Sequence, residues 1–187
     1  MQPIEERGYI IPAFNVGTVD YVDCARNLAK TLLQHHPGAR ICLLTNEQAG
    51  PDALFAHVQV VKDINRDNPY ANDWLVFHHT PFRQTIKLEA DMIVASAVDH
   101  WWTLFEHRDI VISQGCRTFY DQQGTSRKYR QLFDNNNLPD VYNAITYWRL
   151  SRTAQEFFNL VRAIFDNWES YKTLLKFPET LPSTDVV

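Results

Sequence analysis

The segment Ile86-Lys-Leu-Glu-Ala-Asp-Met-Ile-Val94 carries two carboxylates, Glu89 and Asp91, one residue apart in an otherwise largely apolar run. Taking an unpaired carboxylate out of water is expensive, so such groups keep a cation, a hydrogen-bond donor or water beside them. Two carboxylates at this spacing, just past a strand, suit a hard divalent cation, Mg²⁺ or Mn²⁺. These ions take oxygen ligands, bridge to phosphates and leave some positions to water. The structural alternative is that the pair caps a turn or faces surface arginines.

The elements that must position the pair follow from the hydrophobic pattern. Tyr9-Ile-Ile-Pro-Ala-Phe14 predicts a first strand that runs into Asn15-Val16-Gly17. Thr18 is the expected N-cap of a helix whose apolar residues recur from Val19 to Leu33, and Pro37-Gly38 ends it. Ala39 to Thr45 predicts a strand covered on both faces. Pro51 to His57 predicts a short helix, and Val58 to Val61 another strand. Residues 63–79 are expected to be loop with a short helix. Thr85 to Leu88 is the strand that delivers Glu89 and Asp91 at its carboxyl end. Val98 to His107 predicts a helix, Ile110 to Ser113 a strand and Val141 to Arg149 another; Ser151 caps an amphipathic helix running to about Leu175. Strands alternating with helices argue for an α/β sheet that is mainly parallel, whose carboxyl edge is where ligands bind.

The chain has 187 residues, enough for one domain with a real core. With 45% hydrophobic and 21% charged residues it has the composition of an ordinary soluble domain. A net charge of -4 exerts no global pull on nucleic acid or anionic membrane. The odd set Cys24, Cys42 and Cys116, without a CxxC spacing, argues against a disulfide framework and a structural zinc site and points to reduced, cytoplasmic thiols. Met1 to Gly8 is polar and acidic, so no secretory leader is expected, and no apolar run approaches the length of a membrane span. The chain stops as an apolar run begins at Val186-Val187, which leads us to expect a piece of something longer.

Thr85-Ile-Lys-Leu-Glu-Ala-Asp-Met-Ile-Val94 resembles the strand and Asp-x-Asp motif of the GT-A glycosyltransferases, above all the glycogenin-like group, whose segment reads Leu-Asp-Ala-Asp-(Met/Thr)-(Leu/Ile)-Val. Tyr9 to Leu33 resembles the nucleotide-binding start of that family. Val141-Tyr-Asn-Ala-Ile-Thr-Tyr-Trp-Arg149 resembles its Asn-(Ser/Ala)-Gly strand, and Ser183-Thr-Asp-Val186 its later Asp-Gln/Asp-Glu element. The match covers most of the chain in order. It departs from the family at Glu89, where the first Asp of the motif stands, and at Ile145, where a glycine stands. The family's distal metal-binding histidine would fall beyond Val187.

The resemblance implies a Rossmann-like GT-A domain over residues 1–187, with a mainly parallel, mixed sheet flanked by helices. It implies transfer of a sugar from a nucleotide diphosphate sugar, UDP-sugar above others, to an acceptor hydroxyl. Mn²⁺ or Mg²⁺ on Glu89 and Asp91 would act as Lewis acid on the two phosphates, with Ala90 between them part of the donor contact. Arg83 is the expected second cation at the phosphates. Phe14, Asn15 and Val16 would hold base and ribose, and Tyr21 would stack on the base. Asn143 and Asp185 would position sugar hydroxyls or the acceptor. The acceptor stays open among a saccharide, a protein and a modified DNA base.

Residues about 115–140 read as a mobile polar loop with Arg117, Arg127, Lys128 and Arg130, either a lid over the diphosphate or a patch for a polyanionic acceptor. His78, His79 and His100 match no zinc spacing. Two rival functions remain: nucleotidyl transfer, disfavoured because Asn15-Val-Gly-Thr18 holds one glycine and no cation, and a binding module of the same fold that has lost turnover.

Overall fold

A computed structural model describes residues 5–48, 50, 52–115, 117, 120–122, 137 and 141–179. Its centre is a six-stranded sheet in the order β3-β2-β1-β4-β6-β5. The strands are β1 (Glu5–Ala13), β2 (Ile41–Thr45), β3 (His57–Val60), β4 (Phe82–Leu88), β5 (Ile110–Gln114) and β6 (Val141–Arg149). The first four are parallel; β6 runs antiparallel to β4, and β5 antiparallel to β6. The mainly parallel, mixed sheet read from the sequence is the sheet observed.

Both faces are covered, which explains the near-continuous apolar strands. On one face α1 (Tyr21–His35) buries Val22, Ala25, Leu28, Ala29 and Leu32 over Tyr9, Ile11, Ile41 and Leu43, joined by Trp102 of α3 (Trp101–Phe105). On the other, α2 (Leu75–His79) and α4 (Arg152–Asp166) pack Leu75, Val76, Ala154 and Phe158 on Ile10, Cys42, Leu44 and Trp148. A one-turn 3₁₀ segment, Pro69–Asn72, precedes α2, and α5 (Trp168–Leu174) follows α4. No helix among the described residues is long and apolar enough to cross a membrane.

Three local expectations change. Asp20, not Thr18, caps α1, because its extended backbone lets its carboxylate accept from the Asp23 N–H, and an anion also suits the helix N-terminus. Residues 52–56 turn instead of forming a helix: Asp52 Oδ1 accepts from the Leu54 N–H at 3.0 Å, a local bond that competes with helical pairing. The helix capped by Ser151 ends at Asp166, where Asn167 donates its side-chain amide to the Ala163 carbonyl, and α5 starts afresh. Of the expected loop at 115–140, Gly115, Arg117, residues 120–122 and Asn137 are described; Arg127, Lys128 and Arg130 lie outside the described residues.

At the amino edge of the sheet, Glu5 Oε1 and Oε2 accept from both arms of Arg40 at 2.7 and 2.9 Å, and His57 Nε2 lies 2.9 Å from Oε1. The Arg40 bonds hold the Glu5 carboxyl far below its ordinary 4.5, at about 2. A depressed folded-state value stabilises the fold above the unfolded value, and that stability is lost as pH falls through the folded one. The stability advantage of the wild type over Glu5→Gln is therefore expected to be full above about pH 5 and to fade between pH 4.5 and 2, in urea titrations across that range.

Candidate active site

The winding of the sheet reverses between β1 and β4. From β1 the chain steps outward to β2 and β3, then returns to place β4 on the other side of β1. Loops leaving two such neighbours diverge and leave a crevice at their carboxyl ends. Pairing of β1 with β4 stops at Ile10↔Lys87, whereas pairing with β2 continues to Ala13↔Thr45. Pro12 stands where the strands part, and it has no N–H to offer to β4. A cleft of about 780 Å³ opens there.

Phe14 and Val16 after β1, Tyr21 at the start of α1, and Glu89, Ala90 and Asp91 after β4 all line this cleft, as does Asn143 of β6. These residues, separate in sequence, are brought together in this one cleft. Glu89 and Asp91 belong to a tight turn in which the Met92 N–H donates to the Glu89 carbonyl at 3.3 Å. The turn is tied on both sides. The Glu89 N–H donates to Ala144 of β6, and the Val94 N–H donates to Thr31 Oγ1 on α1 at 3.0 Å. Asp91 is exposed, whereas the Glu89 side chain is 37% exposed. Burial raises the Glu89 carboxyl above its ordinary value; the Lys87 charge acts against this, and Asp73 and Asp91 add to it. The Tyr21 phenol is raised by burial and next by the Asp91 charge, and both residues line the cleft.

Two expected site residues stand elsewhere. Arg83 is exposed near the amino end of β4, about 20 Å along the strand from Glu89, and does not line the cleft. A strand shows its two ends to opposite edges of the sheet, so a residue that precedes the apolar run cannot serve the loop that follows it. Asn15 is engaged in the scaffold. Its Oδ1 accepts from the Tyr21 N–H at 2.7 Å, its Nδ2 donates to Asp20, and its backbone exchanges two bonds with the Asn46 side chain. It orients the first turn of α1 and is absent from the lining. Asp185 lies outside the described residues.

Sequence reasoning passed over the floor of the cleft. Lys87, on β4 between Ile86 and Leu88, is 2% exposed. Its Nζ donates to Asp73 Oδ2 at 3.2 Å and to the Asn143 carbonyl at 2.8 Å, and lies 3.8 Å from Glu89 Oε1. Asn143 Nδ2 donates to the same Asp73 oxygen, and Thr146 Oγ1 donates to Asn143 Oδ1. Asn143 thus has both ends of its amide committed to this network. The signal was present as a lysine inside a buried strand, but its partners come from 14 and 56 residues away.

Glu89 and Asp91 offer oxygen donors of the kind Mg²⁺ or Mn²⁺ takes. Among the described residues no three His, Cys, Asp or Glu side chains converge on one point. The donor set therefore suits a cation that completes its shell with phosphate oxygens and water, the habit of Mg²⁺, and not an all-protein cage.

No protein-family model matches the sequence, and no curated protein matches it. Solved structures do. The glycosyltransferase GlyE of Streptococcus pneumoniae TIGR4 superposes with a TM-score of 0.61 at 11% identity, over 97% of this chain and 41% of that one. The apo form of the same enzyme gives 0.55 at 13% identity over 96% and 41%. Mouse xyloside xylosyltransferase 1, also in its apo form, gives 0.51 at 9% identity over 88% and 76%. This chain spans about two fifths of the length of GlyE. The sheet order, the flanking helices and these superpositions together give the chain the α/β fold of the GT-A glycosyltransferases.

Proposed function

We propose that the protein transfers a sugar from a nucleotide diphosphate sugar, a UDP-sugar above others, to an acceptor hydroxyl, in the manner of the glycogenin-like group. The observation that carries the reading is the cleft at the β1/β4 switch point, lined by Tyr21, Glu89 and Asp91. The fold neighbours, which are glycosyltransferases, support the same class.

In this reading Phe14, Val16 and Tyr21 bind the base and ribose, giving an apolar and aromatic surface that excludes water from one face of the ring. Glu89 and Asp91, on the turn that ends at Met92, would hold a Mg²⁺ or Mn²⁺ ion, which would supply charge neutralisation for the departing nucleoside diphosphate. Asn143, fixed by Asp73 and Thr146, presents the β6 edge to the sugar. The acceptor is a saccharide, a protein or a modified DNA base.

A second reading is a nucleotide-binding module without turnover. It is favoured by Lys87, which already faces Glu89 and so occupies one of the two carboxylates. Calorimetric titration of UDP, then GDP, with and without Mn²⁺ tests the binding that both readings share. UDP bound in preference to GDP, weakly without metal and tighter with Mn²⁺, is the expected result; binding of neither nucleotide under either condition would remove the donor assignment.

A further inference from the structure

We propose that Lys87 is the positioning cation of the site: from the floor of the cleft it holds the Glu89 carboxylate and sets how much negative charge the cleft presents to a metal ion and to a diphosphate. The inference rests on the nucleotide-sugar reading above and assigns a residue that reading does not use.

Leaving groups of the diphosphate class need positive charge, and Arg83 does not reach the cleft. Among the described lining residues Lys87 is the one Lys or Arg. Its position in the sheet is central: it pairs with Ile10 of β1 on one side and Thr146 of β6 on the other. Burying an ammonium this deeply is unfavourable unless its protons are used. Two of its three N–H groups are used, by Asp73 and by the Asn143 carbonyl. Glu89 Oε1 stands 3.8 Å from the nitrogen, an ion-pair contact longer than a hydrogen bond. Glu89 is therefore anchored from below, and Lys87 acts on a ligand through it.

The charges around Lys87 decide what the cleft attracts. Two carboxylates, Asp73 and Glu89, stand within ion-pair distance of this single ammonium, and a third, Asp91, lines the same cleft. In a partly desolvated cleft each unit charge weighs far more than it would in water. Removing the ammonium leaves the cleft more negative, better for a divalent cation and worse for a diphosphate without metal. Removing the Asp73 charge does the reverse, because Lys87 is then shared by fewer anions. A purely structural role predicts something else: loss of either residue would loosen the floor and weaken both ligands together.

The experiment uses the full chain with Lys87→Gln and Asp73→Asn. Glutamine keeps a hydrogen bond to the Asn143 carbonyl, and asparagine keeps an oxygen for Lys87. Each protein is titrated calorimetrically with Mn²⁺ alone, and with UDP in metal-free buffer, at low ionic strength so that screening does not hide the effect. For Lys87→Gln the expected result is Mn²⁺ bound about tenfold tighter and UDP about tenfold weaker; for Asp73→Asn both shifts are expected to reverse. Shifts of the same sign for both ligands, or no shift in a folded variant, overturn the role of Lys87 while leaving the donor reading intact. A wild type that binds neither UDP nor Mn²⁺ removes the donor reading itself and this inference with it. Should Lys87→Gln fail to fold, Asp73→Asn decides alone, since it alters a residue 27% exposed by an isosteric amide.

Discussion

Replacing Asp91 by Ala is expected to leave the fold unchanged and to lower sugar transfer by about 10³-fold. Asp91 is exposed at the middle of a turn whose backbone bond joins Glu89 and Met92 and does not involve its side chain. A surface substitution of that kind changes stability by about 0.5 kcal/mol or less. Its chemical cost is another matter. A divalent ion at a diphosphate is worth several kcal/mol of transition-state charge stabilisation, and about 4 kcal/mol corresponds to about a thousandfold in rate. Turnover of a UDP-sugar, followed as UDP release at saturating Mn²⁺, measures the loss beside an unchanged melting temperature. Full activity in the variant would mean that Asp91 holds no metal. Unchanged nucleotide binding in wild type and variant, with no turnover in either, would favour the idle binding module.

Trp148→Ala is expected to cost about 3–5 kcal/mol, a large share of the 5–15 kcal/mol that holds a typical domain together. Trp148 is fully buried on β6, with its ring 4.9 Å from Phe158 of α4 in an edge-to-face arrangement and 6.5 Å from Phe77 of α2. It is where two helices meet the sheet, and Ala would leave a cavity that the strand cannot close. Trp148→Phe is expected to cost far less. It keeps an aromatic ring against Phe158, and it removes a buried indole N–H that has no hydrogen-bond partner among the described residues. Urea unfolding of the three proteins at neutral pH checks both values. Equal losses for Ala and Phe would mean that ring packing contributes little and that α4 is held by other contacts.

Several elements were legible before any coordinates. Val141 to Arg149 is a strand with the bounds read from its sequence, and Ser151 caps the helix after it. Both follow from local chemistry: a run of β-branched and aromatic residues, then a serine whose hydroxyl accepts from the Ala154 N–H. The turn bearing Glu89 and Asp91 was legible for the same reason, since two carboxylates after an apolar strand have few places to go. Boundaries that depend on competing local bonds were not. Thr18 and Asp20 are both good caps, and only the backbone extended at Asp20, held by Asn15, chose between them.

The candidate site divides in the same way. The residue types at the carboxyl ends of β1 and β4, and the chemistry they offer, could be read from one sequence because each lies within a few residues of its own strand. Their meeting in one cleft could not, since it depends on the sheet reversing its winding between β1 and β4. Arg83 looked adjacent to the carboxylates in sequence and lies at the other end of the strand. Lys87 looked like a break in an apolar pattern and is the charge beneath them. The sequence by itself determined the alternating α/β pattern, the acidic turn and the capped helix, which are set by neighbours along the chain. Only the tertiary structure decided which cation serves the cleft, because an ammonium can be buried only where acceptors from distant segments, here Asp73 and Asn143, converge on it.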